Sequence, residues 1–170
     1  MTFTFHKGKH RAQPLYWLRW FPLLIAPDQI SRRVKFSISS KYDLQGDDQA
    51  DHNKLFGLTY GKVHRNSARF GWRYDLRKNK FILSAYCYLN GERVMEDLCE
   101  AVGNHWYDCH IITIGNAYIF RVMNENGDIL CTEHINKGHN KDIAWLLGPY
   151  FGGNQPAPVE MNIQLKKIRR

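Results

Sequence analysis

Helical periodicity is almost absent from this sequence, and so are long apolar runs and the short signatures of familiar catalysts. No stretch approaches the ~20 apolar residues that a membrane-spanning helix needs, because Arg19 and Pro22 break the run that starts at Tyr16. The opening residues, Met1-Thr-Phe-Thr-Phe-His-Lys7, lack the apolar core of a secretory leader. The expectation is a soluble product made in the cytoplasm, or one delivered inside a larger assembly such as a virion. There is no GxSxG elbow, HExxH pair, Walker A loop or GxGxxG turn. That argues against a hydrolase or nucleotide enzyme built on a local motif, though not against a site assembled from distant strands. Cys87, Cys99, Cys109 and Cys131 form no CxxC pair and are read as reduced thiols. A Cys99–Cys109 bridge is the alternative in an oxidising compartment.

What the sequence does contain is alternation. Val34, Phe36 and Ile38 fall on one face of an extended segment, and Val159, Met161, Ile163 and Leu165 repeat the pattern near the end. Both segments read as half-buried antiparallel strands. Between them strands are expected at about 15–21, 54–60, 67–74, 81–89, 92–99, 106–114, 117–123, 128–135 and 144–151. Asn90-Gly91, Gly115-Asn116 and Asn126-Gly127 supply three successive hairpin turns, which predicts a β-meander. The aromatic content of 14% also favours strands. So many short strands bury their apolar faces best as two packed sheets. The predicted fold is one all-β domain over residues 1–170, a two-sheet antiparallel β-sandwich of jelly-roll type.

The net charge of +8 draws the protein toward polyanions, acidic membrane surfaces or acidic partners. Its Lys and Arg residues are scattered rather than gathered in a tail. Nucleic-acid binding therefore ranks behind other readings, since it would need exposed stacking aromatics beside those cations. None of the eight histidines has a partner at the i, i+2 spacing of a strand-borne metal site. No cofactor is expected. The loop Asp43–Asp51 gathers four carboxylates without EF-hand spacing, so it reads as a solvated loop, with a structural calcium ion as the alternative.

Two constellations stand out. In His64-Arg-Asn-Ser-Ala-Arg-Phe-Gly-Trp-Arg-Tyr-Asp75, a strand would turn Ala68, Phe70, Trp72 and Tyr74 one way and Arg69, Gly71, Arg73 and Asp75 the other. The two arginines form a fork suited to carboxylate or sulfate groups, or to a cross-strand acid. Trp72 and Tyr74 are either core or aromatic binding surface. Gly148-Pro-Tyr-Phe-Gly-Gly-Asn-Gln-Pro-Ala-Pro158 is a rigid shaped loop that offers Tyr150, Asn154 and Gln155 to a sugar, or else a structural corner between sheets. The candidate ligand-binding residues are His64, Arg69, Trp72, Arg73, Tyr74, Tyr150, Asn154 and Gln155.

The run Asn66–Arg73, with Tyr150–Pro158 before the last strand, resembles uncharacterised β-sandwich domains of bacteria and their bacteriophages. Those domains are similar to the concanavalin A-like lectin/glucanase jelly roll. The resemblance spans most of the chain, but Val159-Glu160 stands where those domains carry His-Asp. It implies a non-enzymatic module, either glycan-recognising (acidic or neutral) or a virion-associated structural domain with protein partners. The alternative it implies is a lyase or hydrolase of acidic polysaccharides. There Arg69 or Arg73 would neutralise a uronate, and Tyr74, Tyr150 or His64 would act as base. No catalytic residue is carried over from the resemblance.

Overall fold

The computed structural model describes residues 1–14 and 23–168, so the strand expected at 15–21 lies outside the described residues. Within them the chain forms β1 (Thr2–Phe5), β2 (Leu23–Ile25), β3 (Gln29–Phe36), β4 (Asn53–Thr59), β5 (Asn66–Asp75) and β6 (Lys80–Leu89). β7 (Glu92–Ala101), β8 (Tyr107–Ile114), β9 (Ala117–Asn124), β10 (Ile129–Asn136), β11 (Ile143–Leu147) and β12 (Met161–Lys167) complete it. The first sheet has the order β1-β12-β3-β8-β9-β10 and the second β2-β11-β4-β5-β6-β7, with antiparallel pairing throughout. This is the expected two-sheet sandwich.

The expected meander is divided between the sheets. β4 to β7 are consecutive neighbours in the second sheet, and the chain crosses after Ala101 to lay β8, β9 and β10 in the first. Asn90 and Gly91 both take positive φ, 54° and 101°, as a tight hairpin with right-handed twist requires. Two inward positions were misjudged. Ile38 lies in a short 3-10 turn and is 52% exposed, because the Ser37 hydroxyl accepts the Ser39 N–H and ends β3 early. Val159 is 41% exposed, since Pro156 and Pro158 lack the N–H groups of a ladder and β12 begins only at Met161.

The inner faces meet in a core rich in aromatic rings. Phe36 stacks on Phe81 at 4.5 Å between centroids, and Trp72 leans on Phe36 at 5.2 Å. Tyr42 meets Trp72 edge-on at 5.7 Å, and its hydroxyl accepts from the Asn53 side-chain amide at 3.0 Å. These contacts tie the long loop before β4 to the sandwich.

A second tie sits at the other end. His139 packs on Tyr60 at 4.5 Å, and its Nδ1 accepts the Lys141 N–H at 3.1 Å. That acceptor role assigns the ring proton to Nε2, which donates to the Tyr118 hydroxyl at 2.9 Å. Burial, with Lys137 and Lys141 close by, pushes the imidazole pKa down to about 4. Between that value and the ordinary 6.5 the unfolded chain binds the extra proton, so stability is lost as pH falls through this window and levels off below it. Denaturation midpoints followed from pH 7 to pH 3.5 should therefore decline less steeply for His139→Gln than for the wild type.

Candidate functional site

β4 to β7 present their outward side chains in a groove of about 460 Å³ lined by Asp51, His52, Lys54, His64, Arg69, Tyr86, Arg93, Tyr150 and Asn154, among others. Arg69 stands opposite Gly57 on one side and Tyr86 on the other. A Cβ on Gly57 would lie 2.5 Å from Arg69 Cγ, so the missing side chain is what lets the arginine stem lie flat across the sheet. The guanidinium sits 4.9 Å over the Tyr86 ring, and Lys54 Nζ lies 4.4 Å from the same ring.

Lys54 reaches this face through a bulge. Phe56 pairs with inward-facing Phe70 while Lys54 pairs with Gly71, and the extra residue, Leu55, reverses the alternation between them. The loop after β11 then extends the sheet. Lys54 and Tyr150 exchange backbone hydrogen bonds of 2.8 and 3.0 Å, and Asn53 Oδ1 accepts the Gly152 N–H at 2.8 Å. A Cβ on Gly152 would come within 2.6 Å of Lys54 Nζ, so this glycine leaves room for the ammonium, which donates to the His52 carbonyl at 2.7 Å.

The electrostatics are unbalanced. Arg69 is only 7% exposed, its Nε has no hydrogen-bond partner, and among the described residues neither it, Lys54 nor Arg93 forms an ion pair. Burial, then repulsion from Arg69, brings the Lys54 ammonium down to about 8, against attraction from Asp51. Burial also lowers Arg69 and raises Tyr86, so the phenol keeps its proton. Beside the cations, His52 Nδ1 meets Ser84 Oγ at 2.7 Å and its Nε2 faces Asp97 at 3.8 Å. The three residue types are those of a hydrolase triad, but Ser84 is fully buried beneath the ring and offers no nucleophile to a substrate.

Four of the residues singled out in the sequence therefore converge: His64, Arg69, Tyr150 and Asn154. His64 stacks on Tyr88 at 5.0 Å and Tyr150 on His10 at 5.5 Å, which fixes both rings at the rim. Arg73 lies beyond Gly71 on the same face of β5, bonded at 2.6 Å to Asp97 of β7, the cross-strand acid that is the alternative partner, and 3.5 Å from Asp75 of its own strand. Gln155 is turned aside and donates to Asp48 at 2.7 Å. Trp72 and Tyr74 belong to the core, 0% and 5% exposed, and present no surface to a ligand. The carboxylates of 43–51 do not converge either. Asp43 accepts from the Gln45 backbone, Asp48 from Gln155, and among the described residues no three His, Cys, Asp or Glu side chains surround a point that a metal ion could occupy.

His52, Lys54, Tyr86 and Arg93 were not foreseen. Tyr86 and Arg93 carry the simple outward signal of their strands, opposite Met95 and Tyr88, so the alternation through Ala85 and Cys87 would have found them. Lys54 was hidden by the bulge, and His52 lies in the loop just before β4 begins at Asn53.

No protein-family model matches the chain, and no curated protein matches it either. Solved structures do. An alginate lyase from Klebsiella pneumoniae superimposes with a TM-score of 0.61 at 9% identity, over 84% of this chain and 59% of that one. Alginate lyase AlyC3 in complex with dimannuronate gives 0.60 at 12% identity, over 98% and 71%. The enzymatically active domain of bacteriophage CBA120 tailspike protein 2 gives 0.50 at 10% identity, over 88% of this chain and 24% of that one. The chain thus spans under two thirds of the Klebsiella enzyme and about a quarter of the tailspike domain. What is common to all three is the β-sandwich jelly roll.

Proposed function

We propose that the groove on the outer face of the second sheet binds a saccharide bearing carboxylate or sulfate groups, and that the chain is a recognition module for acidic glycans. The observation that carries this is Arg69: a residue 7% exposed, with an unpartnered Nε and a second buried cation, Lys54, against the same aromatic ring. Two like charges withdrawn from water are costly until an anion joins them. Tyr150 and His64 at the rim add faces for sugar rings, and Asn154 adds a hydrogen-bonding amide. The dimannuronate of the AlyC3 complex is an acidic sugar held by a similar sandwich. A module of this kind fits a place in a larger assembly, a virion among them.

The second reading is a lyase, favoured by His64 and Tyr150 standing at the rim of a groove that holds the cations. Elimination needs a carboxylate neutralised and a base near the α-carbon. Tyr86, its pKa raised, is placed to give a proton rather than take one.

A panel of neutral and acidic glycans, probed at pH 6.5 and pH 9.5 for affinity and for unsaturated products, tests both. Acidic members alone should bind, and binding should weaken as pH rises through about 8, where the Lys54 ammonium loses its proton. Lys54→Met should flatten that dependence. Affinity for neutral glycans equal to that for acidic ones would overturn the reading, and unsaturated sugars would establish the lyase.

A further inference from the structure

β7 and β10 are the terminal strands of their sheets on the same side of the sandwich, and they pack against one another across its open edge. Each contributes a cysteine there. Cys99 pairs with inward-facing Leu83 and Cys131 with inward-facing Val122, so both thiols point into the seam between the sheets, where they are half-buried against the core. They are hydrogen-bonded to each other. Cys109 lies in the same row as Cys131 but with Val122 between them. Two strand spacings amount to ~9.6 Å, beyond the reach of a bridge. Cys99 on β7 faces β10, the edge strand packed against it, which carries Cys131, while Cys109 sits two strands further in on β8.

We propose that Cys99 and Cys131 are a redox modification site that forms a reversible disulfide across the open edge of the sandwich. The oxidant is a small-molecule disulfide of the glutathione class. The Cys131 thiolate attacks one sulfur of that disulfide, the other sulfur leaves as a thiolate, and a mixed disulfide forms on Cys131. Cys99 then gives up its proton and attacks Cys131 Sγ, expelling the second small thiolate. The protein loses two electrons and two protons, and one disulfide is reduced to two thiols. The shared hydrogen bond holds Cys131 lower and Cys99 higher than an ordinary thiol, which orders the two steps. The other two cysteines, Cys87 and Cys109, are fully buried and out of reach of the oxidant. The bridge would close the chain between residues 99 and 131 and pin β7, the strand that also carries Arg93 of the groove wall.

The test does not involve glycan. The folded chain is equilibrated in reduced and oxidised glutathione at graded ratios, quenched with an alkylating agent, and mapped without reduction. The expected product is one crosslink joining the Cys99 and Cys131 peptides, two hydrogens lighter than their sum, with Cys87 and Cys109 alkylated after unfolding. Its thermal midpoint should rise and return on adding dithiothreitol. Cys99→Ser should stop at a glutathione adduct on Cys131, and Cys131→Ala should show neither adduct nor shift. A persistent adduct on wild-type Cys131, a crosslink through Cys109, or no change at the most oxidising ratio would each overturn the proposal.

Discussion

Arg69→Met is expected to weaken binding of a uronate oligosaccharide ten- to a hundredfold while leaving the fold as stable as before or more so. The loss follows from removing a charged hydrogen-bond donor from a desolvated site, a contribution of about 1.5–3 kcal/mol. The stability expectation has the opposite sign because Arg69 is buried beside Lys54 with no acid to compensate it, so an apolar side chain of similar length relieves repulsion in the unliganded protein. Lys54 should then titrate above about 8, since the repulsion from Arg69, second only to burial among the causes lowering it, is gone. Calorimetric titration and denaturant unfolding of the same variant read both quantities. Arg73→Ala is the contrast: its guanidinium is already held by Asp97 and Asp75, so affinity should move less than threefold, on the order of 0.5 kcal/mol. Equal losses in the two variants would mean that the groove is not where the anion sits.

The sequence carried the sandwich because its strands alternate cleanly and its turns are spelled in Asn and Gly. Strand positions from Lys54 onward were legible to within a few residues, as Ala68, Phe70, Trp72 and Tyr74 on the core side of β5 show. What alternation cannot express is a break in itself. The bulge at Leu55 sends Lys54 outward from a strand whose next residues would place it inside, and no local pattern announces it. Long-range assembly was equally hidden. The Gly148–Pro158 loop looked like a ligand-presenting loop or a corner, and it contributes to both: Gly152 makes way for Lys54, while Gln155 is spent on Asp48. The division of the hairpins between two sheets is also set by the crossing after Ala101, which carries no motif.

Trp72 shows how an aromatic strand residue can suit either role until burial decides. Trp72→Ala is expected to cost about 3–5 kcal/mol of stability, lowering the melting temperature by roughly 10 °C. Glycan affinity under native conditions should stay within about twofold, or ~0.4 kcal/mol. The side chain is fully buried between Phe36, Tyr42 and Phe81, and nothing in that cage can collapse into the volume left behind without tilting the Phe36–Phe81 stack. Trp72→Phe should cost well under half as much. It keeps a ring against Phe36 and Phe81 and removes Nε1, a buried donor with no acceptor. Denaturant midpoints for the two variants, with affinity measured well below those midpoints, separate the roles: a binding tryptophan would lose affinity in both, whereas a core tryptophan loses stability in proportion to the volume removed.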